Sequence, residues 1–435
     1  MKLLRYLYAV LFLSCCLMTN VQAGPMTLSL EDALDLALQN NLSLKTTALD
    51  GRSAERDVDT AWNLFLPSVS ATLSNSGSTV VFQDNPIIKA TTNTNTGLSA
   101  GLGVRFQLNP AVKDQLESYD VAWSLQQVTF DQAATEVKRN VTKLFYYLLA
   151  EKSNVELQRK NIALAEKQYM KVNANFESGY ASELDLLSSQ LGLERLKPAL
   201  QQTLNAYEGQ LLAFRVALGL PLDTELELSG TLPDKRLERS LQSLQEQIEG
   251  TYSLRLLDLN RKSLQVTRQL QRKSSLMPTL SISGQYNMNL WNDKSIEDFV
   301  DSAQYSVSVS IPLDGYISGS RTQNALDKID DSLDTLAVRK QQTRIQMEQA
   351  VITRVLTLRN LTEQIEVAIA NKDLSKRVLE MQMAQYEAGY TDYLNVEKAQ
   401  QDVLSAEQQI VYLRYQYATA LVDLAYDLQI DITQL

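Results

Sequence analysis

The side chains that usually do covalent chemistry are almost missing from this sequence. Of its 435 residues none is histidine. That removes the commonest general base, the usual zinc ligand and every Ser-His triad. The only thiols are Cys15 and Cys16, adjacent and close to the N-terminus. Carboxylates are plentiful, yet no spacing marks a paired acid and base or a metal site. No enzyme, cofactor or metal is expected. What remains is a set of glycines, tyrosines and short polar residues gathered in two places. Phe176-Glu177-Ser178-Gly179-Tyr180 is followed by Ala181, Ser182 and Asp185; Tyr386-Glu387-Ala388-Gly389-Tyr390 is followed by Thr391, Asp392, Asn395 and Lys398. Such residues turn a chain, cap helices and recognise partners. Their chemistry is hydrogen bonding.

The elements that position these groups begin behind an export address. Lys2 and Arg5 precede an apolar run from Leu7 to Met18, and Val21-Gln22-Ala23 is a small-residue cleavage pattern. Residues 1–23 are therefore expected to be a signal peptide, since the run is short of the roughly 20 residues a spanning helix needs. A cut before Cys15, giving a lipid-anchored N-terminus, is the second alternative. Cutting after Ala23 leaves no thiol, which excludes disulfides and cysteine nucleophiles. It also removes two positive charges, taking the net charge from −10 to −12. Phosphate binding needs a basic face, so nucleic acid is not an expected partner. No apolar run of 18 or more follows the leader, so no transmembrane helix is expected.

The two glycine-tyrosine segments are copies of each other, 210 residues apart. Leu186, Leu193, Leu200, Tyr207 and Phe214 fall seven apart behind the first. Val396, Val403, Ile410, Tyr417 and Leu424 do the same behind the second, in the same register. Upstream, Leu66-Pro67-Ser68-Val69 resembles Met277-Pro278-Thr279-Leu280. This is internal duplication. It divides the mature chain into a first repeat, 24–220, a turn-rich connector, 221–240, and a second repeat, 241–435.

Each repeat reads as helix, two strands and a long helical hairpin. Between Ala111 and Phe176 there is neither glycine nor proline, and Val141, Leu148, Val155, Ile162, Tyr169 and Phe176 keep heptad spacing. Roughly 65 residues at about 1.5 Å each make a rod of about 100 Å. Its counterpart runs from Gly319 to Tyr386. Gly179 and Gly389 permit the turn, and Ser182 and Asp392 are the expected N-caps of the returning helices. Shorter helices are expected over Leu30–Trp62 and Leu241–Ser275.

Four segments alternate strictly. Val69, Ala71 and Leu73 alternate with serines and a threonine. Leu98 to Leu108 alternate with Ser99, Gly101, Gly103, Arg105 and Gln107. Leu280 to Leu290 alternate with Ser281, Ser283, Gln285, Asn287 and Asn289, and Tyr305 to Ile311 with three serines. The segments between, Asn75–Gly97 and Trp291–Ser302, read as polar loops. One apolar and one small polar face suit a wet-lumen barrel in lipid. Four strands cannot close, and open edges in lipid are costly. Two copies give eight strands around a filled interior; three give twelve around a pore, which small polar lining residues favour.

With these marks in hand, the chain resembles the TolC family of outer-membrane efflux and secretion channels over essentially its whole mature length. The duplicated halves, the strand pairs, the two Gly-Tyr turns, and Leu184-Asp185-Leu186-Leu187 with Leu394-Asn395-Val396-Glu397 carry the resemblance. It implies an α+β membrane protein: a homotrimer with a 12-stranded outer-membrane β-barrel, four strands per chain, continued by an α-helical coiled-coil barrel across the periplasm. It implies an exit duct for a tripartite efflux pump or type I secretion system, reached through a periplasmic adaptor and an inner-membrane pump, with outer-membrane lipid around the barrel. Gly179, Tyr180, Ala181, Ser182, Gly389, Tyr390, Thr391 and Asp392 are the turn residues expected to face the adaptor. The family also implies a gate of tyrosine, arginine and aspartate near the turns, and an acidic ring at the constriction. Asp185 and Tyr386 match the tyrosine and aspartate. Thr391 stands where the arginine is expected, and Asn395 and Lys398 where the ring acids are expected. A coiled-coil structural or adhesive surface protein, which would conduct no ions, is the competing class.

Overall fold

The computed structural model describes residues 26–79, 94–233, 237–292 and 301–432. The expected signal peptide, 1–23, lies outside them. Along the described chain come strand β1 (Met26–Leu28), helices α1 (Leu30–Asn40) and α2 (Leu42–Asp59), strands β2 (Ser68–Thr79) and β3 (Thr94–Leu108), and helices α3 (Val112–Glu177) and α4 (Glu183–Leu218). Then follow β4 (Leu226–Leu228), α5 (Leu241–Glu246), α6 (Tyr252–Leu276), β5 (Thr279–Asn292), β6 (Ser302–Ser310), α7 (Arg321–Glu387) and α8 (Tyr393–Asp427). The chain divides into two compact units.

One unit holds the sheet. Its strands run antiparallel in the order β2-β3-β5-β6. The register lines up like with like. Thr72, Gly101 and Asn287 share one row, and Ser70, Gly103, Gln285 and Gln304 the next. Ala71, Leu102 and Tyr286 form a row of the other face, and Phe106, Ile282 and Val307 another. Period-two alternation in each strand thus becomes one polar and one apolar face across all four. At Gly101 a Cβ would lie 2.8 Å from Asn287 Oδ1 and 2.9 Å from Thr72 Oγ1, so a larger residue would make those side chains shift. The strands reach further than alternation predicts. Ser76–Thr79 pairs with Thr94–Gly97, residues expected in a loop. Backbone ladders do not require apolar side chains, so polarity alone misplaced that boundary. Beneath the sheet, buried Asp114 in the first turn of α3 pairs with Lys273 in the last turn of α6 at 2.7 Å. An acid at a helix start and a base at a helix end both complement the helix dipoles.

The other unit is helical. Its core gathers Leu28, Val141, Phe145, Leu148, Phe214, Leu218, Leu228, Ala418 and Val422, with β1 and β4 paired in parallel. The expected stripes of α4 and α8 are buried at Leu193, Phe214, Val396, Ile410, Tyr417 and Leu424. That of α3 is buried only to Val155. Beyond it the buried residues are Asn161, Ala165, Gln168 and Val172 in place of Ile162, Tyr169 and Phe176. At about 100° per residue, Asn161 and Gln168 lie roughly opposite Val141. They face α8, where Gln400 and Tyr393 supply partners. The short helices are each interrupted. Asn41 ends α1, accepting from Leu44 N–H and donating to Ala217 O. Thr251, its counterpart 210 residues on, is the N-cap of α6.

Candidate functional site

The two helix turns lie together at one place in the helical unit. At the first, Gly179 takes φ 80° and Tyr180 N–H donates back to Asn175 O at 2.8 Å. At the second, Gly389 takes φ 77° and Tyr390 N–H donates to Gln385 O at 2.9 Å. Positive φ at each position selects glycine, because a Cβ would clash with the chain's own backbone. Tyr180 and Tyr390 project into solvent almost completely.

The helices that return from these turns start differently. Ser182 caps α4: its Oγ accepts from Asp185 N–H at 3.1 Å, and Asp185 Oδ2 accepts from Ser182 N–H at 3.2 Å. This reciprocal box satisfies two of the donors a helix start leaves free. Asp392 has the extended backbone of an N-cap, yet its side chain accepts no capping bond. Asn395, at the position equivalent to Asp185, turns its amide to Thr391 Oγ1 instead, at 2.9 Å. The first free donor of α8 goes to the other turn. Tyr393 N–H donates to Asp185 Oδ1 at 3.2 Å. One carboxylate therefore sits at two helix starts, where both dipoles favour its charge.

Tyr393 anchors the junction. It is buried with Val172 and Val396, its hydroxyl donates to Gln168 Oε1 at 3.1 Å, and its ring meets Tyr386 edge-on at 5.6 Å. Burial pushes the Tyr393 hydroxyl up to about 12, helped by the charge of Glu397. Burial also raises Tyr386, followed by the nearby charge of Asp185. Lys171 Nζ and Glu387 Oε1 join the two long helices at 2.6 Å.

Of the expected site residues, the structure brings together Asp185, Tyr386 and the start of α8. Ser182, Asp392 and Asn395 lie around them in exposed positions, and Lys398 is exposed one turn along α8. Tyr393 and Gln168 were not singled out from the sequence. The signal for Tyr393 was present: it replaces Glu183, its equivalent 210 residues earlier, and an aromatic residue opening a helix asks for cover.

A polar slot of about 550 Å³ opens between α3, α4 and α8, lined by Gln158, Asn161, Arg195, Gln202 and Glu397. Its walls mix amides with the apolar Leu196, Ala199 and Leu404.

The profile of the family described as outer membrane efflux protein matches residues 33–220 and 244–426. The chain belongs to that family. Its place is the outer membrane and its work is transport, in a family of non-enzymatic channel components. No curated protein gives a significant match by sequence search. Solved structures give many. A membrane protein from Pseudomonas aeruginosa superposes with a TM-score of 0.74 at 17% identity, over 92% of this chain and 90% of its own. The Campylobacter jejuni CmeC outer membrane channel gives 0.71 at 16%, over 93% and 88%. The Neisseria gonorrhoeae MtrE outer membrane channel, solved in its open state, gives 0.70 at 16%, over 92% and 89%. At these identities the likeness shows the fold, which this outer membrane efflux protein shares along nearly its whole length.

Proposed function

We propose that the chain is the exit duct of a tripartite efflux pump or a type I secretion system, assembled from three copies. The observation that carries this reading is the four-stranded sheet, apolar on one face and serine-rich on the other, whose edge strands β2 and β6 are each paired on one side only among the described residues. Unsatisfied backbone groups in lipid cost several kcal/mol each, so copies join edge to edge. Twelve strands leave a lumen that small polar side chains suit. The long helices continue the tunnel into the periplasm. The two repeats, 24–220 and 241–435, each supply a strand pair and a hairpin. The connector, 221–240, and the C-terminal residues supply an equatorial band, and residues 1–23 direct export.

The turns meet a periplasmic adaptor that recruits an inner-membrane pump. Gly179, Tyr180, Ala181 and Ser182 form one contact; Gly389, Tyr390, Thr391 and Asp392 form the other. The exposure of Tyr180 and Tyr390 supports this. Asp185 and Tyr386 hold the gate beside Asn395 and Lys398, with the Asp185 bond to α8 as the latch. The channel provides a water-filled route and the pump provides the energy.

The test is the mass of the purified protein in detergent together with its conductance in planar bilayers. A trimer with water-filled conductance is expected; a non-conducting monomer overturns the reading. Asp185→Ala and Tyr386→Phe are each expected to raise single-channel conductance. Unchanged conductance in both removes them from the gate.

A further inference from the structure

The duplication fixes contacts between copies as well as within one. Where the two repeats meet inside the chain, the long helix α3 of the first meets the short helix α6 of the second. Asp114 pairs there with Lys273 at 2.7 Å, and Glu117 with Lys262 at 3.9 Å. The same seam continues in the sheet, where β3 pairs with β5. In a closed ring of copies, each second repeat is followed by the first repeat of the next copy. Helix α7 then takes the place of α3, and α2 of the next copy takes the place of α6. Strand β6 meets β2 of the next copy in the same way.

The helices of the two repeats correspond at the 210-residue offset that relates Gly179 to Gly389. At that offset Glu117 becomes Asp327 and Lys262 becomes Arg52, again an acid on the long helix and a base on the short one. Arg52 and Asp327 are both exposed, and neither forms an ion pair among the described residues. Arg268 directs two nitrogens to Asp330, at 2.6 and 2.9 Å, so the nearby Asp327 has no cation to itself. Asp114 and Lys273 become Asn324 and Asn63, two amides. The strands agree with the helices. Pro67 corresponds to Pro278, and so Ser68 to Thr279. Ser68 pairs with Arg105 and Thr279 with Ser310, so Arg105 corresponds to Ser310. Inside the chain Phe106 lies opposite Ile282, and Arg105 opposite Ser283. Between copies Ile311 then falls opposite Ala71, and Ser310 opposite Thr72. Apolar meets apolar and hydroxyl meets hydroxyl, whereas a slip of one residue would oppose the two kinds.

We infer that Arg52 of one copy and Asp327 of the next form a salt link that sets the register of the helical seam between copies. The inference rests on the channel reading above and names the side chains that join its copies below the sheet. Charge complementarity fixes register where packing alone lets helix faces slide. The two kinds of seam differ in strength. Inside the chain the seam holds two ion pairs, one of them with Asp114 buried. Between copies it holds one link, with amides at the second position. The seam between copies is therefore the one that charge reversal and added salt reach first.

The test uses the full-length protein purified in detergent. Both native cysteines lie in the expected signal peptide, so introduced pairs report without background. Arg52→Cys with Asp327→Cys, treated with a short bis-maleimide, is expected to give covalent dimers and trimers on a denaturing gel. Glu117→Cys with Lys262→Cys, the counterpart inside the chain, is expected to cross-link at the mass of one chain, which calibrates the reagent. Arg52→Glu alone is expected to lower the temperature at which the copies separate by a few degrees, and adding Asp327→Arg to restore it. A conducting trimer in which the first pair joins no chains, or in which the second reversal rescues nothing, overturns the salt link and leaves the channel standing. A non-conducting monomer overturns both.

Discussion

The two helix turns have the same five-residue frame and nearly the same glycine geometry, yet only one caps its own helix. Ser182 and Asp185 form a closed box at the first. At the second, Asp392 and Asn395 do not, and α8 takes its cap from Asp185 across the junction. Duplication supplied two equivalent helix starts, and replacement at two positions made one depend on the other. A local signal thereby became a tertiary link. Breaking it is expected to release both helices, whereas breaking the first cap alone releases one.

The strongest test of that asymmetry is Asp185→Ala. It removes a capping acceptor from α4 and α8 together, at about 1 kcal/mol each. Amide exchange is expected to quicken at the starts of both helices; quickening at α4 alone would show that the link to Tyr393 N–H contributes nothing. Tyr393→Phe follows. It strips Gln168 Oε1 of its buried donor, and about 1–2 kcal/mol of local protection is expected to be lost across α3 and α8. The same residue predicts a pH limit. A hydroxyl raised to about 12 in the fold, against about 10 unfolded, favours the folded turn fully below pH 10 and loses that contribution as pH climbs toward 12. Unfolding stability measured over that range should show the loss, and Tyr393→Phe should lessen it, Tyr386 keeping a share of its own.

Ser182→Ala sharpens the contrast, with about 1 kcal/mol lost and the effect confined to α4. Gly179→Ala and Gly389→Ala are the control. Their φ values match and neither Cβ meets a neighbour, so each is expected to cost about 1 kcal/mol, equally. Unequal costs would mean that the turns differ in more than their caps. The smallest effect belongs to Asp392→Ala, expected within about 0.5 kcal/mol, because its side chain caps nothing. A larger loss would show that Asp392 supports α8 by a route other than a cap.

Long elements were legible in the sequence because their signals are local and repeated. Val112–Glu177 and Arg321–Glu387 lie within a residue or two of the expected helices, since no glycine or proline interrupts either pattern. Strand faces were legible for the same reason. Less visible were the breaks at Asn41 and Thr251, where single polar side chains satisfy distant or backbone groups and carry no periodic mark. The polar extension of β2 and β3 was missed because ladder bonds use the backbone, which every residue supplies.

By itself, then, the sequence determined the duplication, the four two-faced strands, the helical hairpins and their glycine turns. Each follows from the period of a pattern or from a conformation only certain residues adopt. Tertiary structure alone decided which carboxylate caps which helix and that Asn161 and Gln168 bury against α8. These are contacts between residues far apart in the chain, and no local spacing encodes the partner a side chain will meet.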